Sequence, residues 1–217
     1  MPQPYVILTT AESLDGRMDF EHPVILFNRM EDYRIQELRS TVDVIITSAG
    51  RVANDDPTFQ VKDPMGRQPT VVIVDKGIDT PPKAAILASK SKKVMLVTCR
   101  SSNKSKIHRL QAERPDLAVF EFGENAVNLE DMVWELHQMG MHRMLLEGDS
   151  ALNMRMLDSG LVEEVYVMVA PLLLGQPLPS VLDGKLDHSV NLQLEGILQY
   201  GDNVVLHYLV AKPHRGQ

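Results

Sequence analysis

The sequence predicts an α/β protein with a largely parallel central sheet, helices on both faces and a closing antiparallel hairpin. Three observations carry this expectation. Short β-rich runs alternate with helical patterns along most of the chain, and repeated strand–helix units set successive strands parallel with helices packed over them. The runs at 42–48 and 70–75 are apolar almost throughout, as strands covered on both faces must be. The tail then changes character: 190–199 and 203–211 are long β-rich runs around the turn Tyr200-Gly201-Asp202-Asn203.

Each element follows from its local pattern. Tyr5–Thr10 reads as the first strand, and 30–40 as a helix with Ile35, Leu38 and Val42 on one face. The apolar strand 42–48 comes next, followed by a loop at Ser48-Ala49-Gly50-Arg51 and the strand 70–75. A short helix is expected after Pro82, a strand at 93–98, a polar helix at 104–113 anchored by Ile107 and Leu110, and a strand at 117–122. The next helix has a clear start, with Asn128 as cap and Asp131 three residues on, close to a capping box. Leu129, Met132, Val133, Leu136 and Met139 line one face and Gly140 ends it. A strand at 143–147, a helix through Leu152, Met156 and Leu157, and a strand at 163–170 complete the alternation.

Composition narrows the function class. The chain has 217 residues, 44% hydrophobic and 24% charged, as expected for one globular domain over 1–217. No apolar run approaches the roughly 18 residues of a membrane span, and the start Met1-Pro2-Gln3-Pro4-Tyr5 lacks a secretory pattern, so a cytoplasmic protein without membrane partners is expected. The lone Cys99 leaves no disulfide framework and no multi-cysteine metal site. Net charge is −7, which argues against a nucleic-acid partner. The one dense basic stretch, 83–109, reads as a solvated face, with a phosphate pocket as the sharper alternative.

In an open parallel sheet ligands bind beyond the carboxyl ends of the strands. Those ends here carry polar loops, among them Asp75-Lys76-Gly77 and Glu147-Gly148-Asp149-Ser150, the last running straight into a helix whose N-terminus suits a phosphate. Familiar nucleotide-loop, zinc-protease and hydrolase signatures are absent. His137 and His142 read as surface residues, and no metal is expected. Three constellations remain: Ser13-Leu14-Asp15-Gly16-Arg17, Asn54-Asp55-Asp56-Pro57 with Lys62 beyond, and Glu147 at the end of an apolar strand. Burial there can raise the Glu147 pKa and suit it to proton transfer, or the carboxylate can serve as a structural acceptor.

Together these segments resemble the reductase family of riboflavin biosynthesis, whose fold is similar to dihydrofolate reductase. The resemblance runs through Ser13–Arg17, Glu37-Leu38-Arg39, Ala49-Gly50-Arg51-Val52, Asp55-Asp56-Pro57, Val72–Asp75, Leu146-Glu147-Gly148, Leu152-Asn153, Gly160–Val165, Ala170–Gly175 and Leu182-Asp183-Gly184. It implies a three-layer fold, a phosphoribosylamino-pyrimidine substrate, NADPH as cofactor, hydride delivery to C1′ of the opened sugar, and a homodimer. It implies catalytic roles for Glu147 and Arg17, and substrate contacts from Asp15, Arg39, Phe59 and Lys62. Cofactor contacts are implied for Ile25, Arg51, Asp55, Asp75, Lys76, Gly148, Asp149, Ser150, Ala151, Leu152 and Asn153.

The departures are specific. Asp149 replaces a glycine beside the expected pyrophosphate, Arg51 and Lys76 replace hydroxyl residues, and Gln176 replaces a glycine. The two cations at adjacent strand ends are expected to favour NADPH over NADH. A reductase of the same fold acting on a pterin, and a non-catalytic nucleotide-binding relative, remain alternatives.

Overall fold

The computed structural model of the chain describes residues 3–18, 29–62, 68–175, 180, 182 and 185–211; Ile25 and Gln176 lie outside them. The strands are β1 (Tyr5–Ser13), β2 (Val44–Ser48), β3 (Thr70–Val74), β4 (Val94–Thr98), β5 (Ala118–Glu121), β6 (Arg143–Leu146), β7 (Glu164–Ala170), β8 (Leu192–Tyr200) and β9 (Asn203–Val210). The helices among the described residues are α1 (Arg29–Ser40), α2 (Ala49–Asp55), α3 (Ala85–Ala88), α4 (Lys104–Glu113), α5 (Leu129–Gln138) and α6 (Ser150–Asp158).

All nine strands join one sheet in the order β5-β4-β3-β2-β6-β1-β7-β9-β8. The pairings from β5 across to β7 are parallel, and those of β7 with β9 and of β9 with β8 are antiparallel. Strand alternation divides the core into two layers. On one face Val6, Leu8, Val44, Ile46 and Val72 meet Met132, Val133 and Leu136 of α5 and Met156 of α6. On the other, Ile7, Ile45, Val71 and Ile73 meet Val52 of α2, Ile86 of α3, and Ile107 and Leu110 of α4. The expected three-layer α/β architecture and its closing hairpin are therefore present.

Helix α5 begins as its sequence requires: the Asn128 side chain accepts from the Glu130 and Asp131 amides at 3.1 Å each. Its apolar stripe ends at Leu136, and Met139 is 40% exposed. Two expectations are corrected. The loop expected at Ser48-Ala49-Gly50-Arg51 is instead the start of α2, because Ser48 caps it by accepting from the Arg51 amide at 3.1 Å, with Asp56 closing it at φ 42 just before Pro57. His137 is buried rather than on the surface; its ring packs edgewise on Trp134, and its Nδ1 lies 3.0 Å from Nδ1 of His142. No group of three or more metal-ligating side chains occurs among the described residues.

The chain leaves β1 for β2, runs outward through β3, β4 and β5, and returns to place β6 between β1 and β2. This reversal of direction opens a crevice at the carboxyl ends of β1, β6 and β2.

Candidate active site

Residue Glu147 follows directly on β6 at the floor of that crevice. It is 4% exposed, and its backbone carbonyl accepts from Thr47 Oγ1 at 2.8 Å. Arg39, on the last turn of α1, donates Nε and Nη2 to the two Glu147 carboxylate oxygens at 2.7 Å each. Burial pushes the Glu147 carboxyl upward, but the charge and hydrogen bonds of Arg39, helped by Arg51 and Arg34, outweigh it and hold the pKa below its ordinary value. Of the two readings open for Glu147, the raised pKa is therefore set aside: the paired guanidinium, distant in sequence, keeps the group ionised.

The cleft around this pair has a volume of ≈ 260 Å³ and is walled by Thr9, Glu31, Arg51 and Asp55, among others. Asp55 differs from Glu147 in environment. Burial raises its pKa, only partly opposed by Arg51 at 2.6 Å, and its Oδ1 has no hydrogen-bond partner among the described residues. Arg34 forms a second clamp, donating to both oxygens of Glu31 at 2.5 and 2.7 Å and to Thr9 Oγ1 at 3.1 Å. The i,i+3 spacing of Glu31 and Arg34 was visible in the sequence, but nothing local pointed to Thr9.

The other residues expected to bind substrate occupy distinct places. Phe59 is buried, and the Arg39 Cζ stands 5.3 Å from its ring centroid. Lys62 lies exposed at the rim, 2.5 Å from Asp32. Asp15 accepts from Ser13 Oγ, the Gly175 amide and the Leu174 amide, which lowers its pKa to about 2. Arg17 is half-buried in the same turn, its amide bonded to Ser13 Oγ at 3.0 Å.

A second cavity of ≈ 220 Å³ opens beyond β2 and β3 at the N-terminus of α6, lined by Gly50, Asp75, Lys76, Asp149, Ala151 and Leu152, among others. Asp149 is the α6 cap: Oδ1 accepts from the Leu152 amide at 2.9 Å and Oδ2 from Ser48 Oγ at 2.6 Å. One carboxylate therefore ties the starts of α2 and α6 together. Both neighbouring glycines are required. A Cβ on Gly50 would stand 2.7 Å from Asp149 Oδ2, and one on Gly148 would stand 2.8 Å from Asn153 Oδ1. Asn153 is fully buried with no partner for either side-chain polar atom among the described residues. Ser150 donates to the Ser180 carbonyl at 2.5 Å. Asp75 spends its carboxylate on the Asp79 amide and on the amide and hydroxyl of Thr80. Lys76 is exposed at the mouth, whereas Arg51 turns to Asp55 and the first cavity. The expected pair of cations is therefore divided between two cavities.

Residues 4–206 match the family described as the RibD C-terminal domain. The chain belongs to that family. A 2,5-diamino-6-ribosylamino-4(3H)-pyrimidinone 5′-phosphate reductase of Methanothermobacter thermautotrophicus is 32% identical over 217 residues, covering 96% of this chain and 99% of the relative. A RibD protein of Actinobacillus pleuropneumoniae is 25% identical over 97% of this chain, which spans 58% of that longer protein. Among solved structures, Acinetobacter baumannii RibD superposes with a TM-score of 0.81 at 23% identity over 96% of this chain and 58% of the other. A pyrimidine reductase-like protein from Corynebacterium diphtheriae superposes with a TM-score of 0.82 at 16% identity, over 97% and 93%. In this RibD C-terminal domain, Asp149 is a helix cap with both oxygens bonded, so its charge is committed within the fold. Reductases of this family are expected to draw on a nicotinamide cofactor, and the donor set of the second cavity fits one: the N-terminal turn of α6 opens onto it and the Lys76 cation stands at its mouth. No helix among the described residues is long and apolar enough to cross a membrane.

Proposed function

We propose that the chain reduces a phosphoribosylamino-pyrimidine to its ribitylamino form with NADPH, and that the substrate is the 2,5-diamino pyrimidinone. The observation that carries this reading is the Arg39–Glu147 pair at the floor of the cleft, one wall away from a glycine-bearing helix N-terminus. Whole-length similarity to the archaeal pyrimidinone phosphate reductase supports the choice of substrate.

When bound, the cofactor supplies a hydride from its nicotinamide ring. The first turn of α6, with Ala151 and Leu152 at the cavity wall, is the part of the chain to hold it, with Lys76 toward a 2′-phosphate. The chain's own residues do the rest by position and charge. Opening the N-riboside puts a proton on the ring oxygen and leaves an iminium at C1′. Two carboxyls with opposed environments suit those two demands. Asp55, held toward its protonated form by burial, is suited to keep and release the proton. Glu147, held ionised, stabilises the iminium cation that accepts the hydride. Arg39 binds Glu147 through Nε and Nη2, which leaves Nη1 outside that pair as a further donor for the substrate. Lys62 at the rim suits the phosphate.

We also assign a homodimer formed through β8. Its Leu192, Leu194, Ile197 and Leu198 are 44%, 50%, 61% and 44% exposed on an edge strand, and soluble proteins avoid leaving such an edge open. NADPH consumption with a panel of diamino- and deaminated pyrimidine phosphates and pterins tests the activity. Consumption with the diamino compound is expected; consumption with pterins alone overturns the reading.

A further inference from the structure

Lys92 is a buried cation that the cleft's chemistry leaves unused. It lies between α3 and β4 and is 4% exposed. Its Nζ donates to the Phe59 carbonyl and to Gln68 Oε1, each at 2.7 Å. The Gln68 side chain in turn brackets Val61, donating Nε2 to its carbonyl at 2.8 Å and accepting its amide at 3.3 Å. One ammonium and one amide therefore close the backbone of residues 59–61.

That segment needs an outside partner. Phe59 sits at φ 49, a left-handed conformation unfavourable for a bulky side chain. Its ring is also the surface on which the Arg39 guanidinium rests, 5.3 Å from the centroid. The contacts run in sequence from Lys92 to the Phe59 carbonyl, from the Phe59 ring to Arg39, and from Arg39 to Glu147. Burying an ammonium is costly, and a methionine would fill the same space without that cost. What only the ammonium supplies is a donor for the Phe59 carbonyl together with a second donor that ties Gln68 Oε1 to it.

We infer that Lys92 is a positioning residue for the substrate side of the cleft, acting through Phe59 on the Arg39–Glu147 pair. This rests on reading the cleft as the pyrimidine phosphate site. Burial, and after it the nearby charge of Arg39, lower the Lys92 pKa to about 8 against the pull of Glu147, which agrees with its place beneath the pair.

The test compares Lys92→Met and Gln68→Leu with the unmodified protein. Gln68 is exposed, so its variant is expected to fold even if the lysine variant does not. In Lys92→Met the KM for the diamino pyrimidine phosphate is expected to rise roughly tenfold, with kcat within about twofold and the Kd for NADPH unchanged. Gln68→Leu is expected to move KM the same way by less. A loss confined to kcat, as a smaller folded fraction would give, overturns the inference. A second readout needs no turnover: amide exchange at Val61 in the NADPH-bound protein is expected to be slow in the unmodified chain and fast in both variants. Equal protection in all three overturns the role of Lys92. An unmodified protein that consumes no NADPH with any pyrimidine phosphate refutes the proposed function instead, and the exchange result still decides the role of Lys92.

Discussion

Two carboxyls of the cleft, Glu147 directly after β6 and Asp55 at the end of α2, behave oppositely because of their partners. Glu147 is held by a bidentate guanidinium, whereas Asp55 sits beside a single cation with one oxygen unpartnered among the described residues. Replacing Glu147 with Gln removes the charge and leaves the buried Arg39 without a counter-ion. It is expected to cost ~3 kcal/mol of stability, read by urea unfolding, as well as roughly a hundredfold in kcat. The depressed Glu147 pKa gives this contribution a sign. It is fully present above the unfolded value of 4.5 and is lost as pH falls through the lower folded value, so Glu147→Gln should lose less stability than the unmodified protein on acidification. At the second cavity, Lys76→Ser is expected to reduce the preference for NADPH over NADH by roughly tenfold, measured as the ratio of kcat/KM for the two cofactors. Arg51→Ser should leave that ratio unchanged, because Arg51 faces Asp55. The Arg39–Glu147 pair spans 108 residues of sequence. Each partner was legible as a candidate through the family resemblance, but no local pattern reveals that the arginine ionises the glutamate.

At the level of elements, the strands were legible because burial on both faces leaves an unbroken apolar run, and α5 because its cap and stripe are both local. Helix α2 was not: the stretch at its start, Ser48-Ala49-Gly50-Arg51, reads as a loop. What stabilises that helix is a Ser48 cap which itself donates to Asp149 on another element. The same bond explains the departure at Asp149, which is a tether between α2 and α6 rather than a free anion. Asp149→Ala is expected to cost ~1 kcal/mol from the lost cap, a fall in Tm of about 2–4 °C. It should also weaken NADPH binding, because the second cavity is walled by those two helix starts. A melt and a cofactor titration on the one variant check both.

At the scale of the whole molecule, one sheet carries the reductase cleft near its centre and an open apolar edge at β8. The edge was legible in the tail's composition, and the structure adds which residues stay exposed. Pairing about a two-fold axis would cover them. Light scattering at micromolar concentration is expected to give twice the 24.3 kDa chain mass, and Ile197→Lys is expected to give the single-chain mass with the fold retained. In the proposed reaction the hydride goes to the sugar carbon and the pyrimidine ring stays intact. The most direct measurement is turnover of the diamino pyrimidine phosphate with NADPH carrying deuterium at the transferable position of the nicotinamide, followed by NMR of the product. Deuterium at C1′ of a ribityl chain is the predicted result; deuterium on the pyrimidine ring, or NADPH consumed with no label in the product, would contradict it.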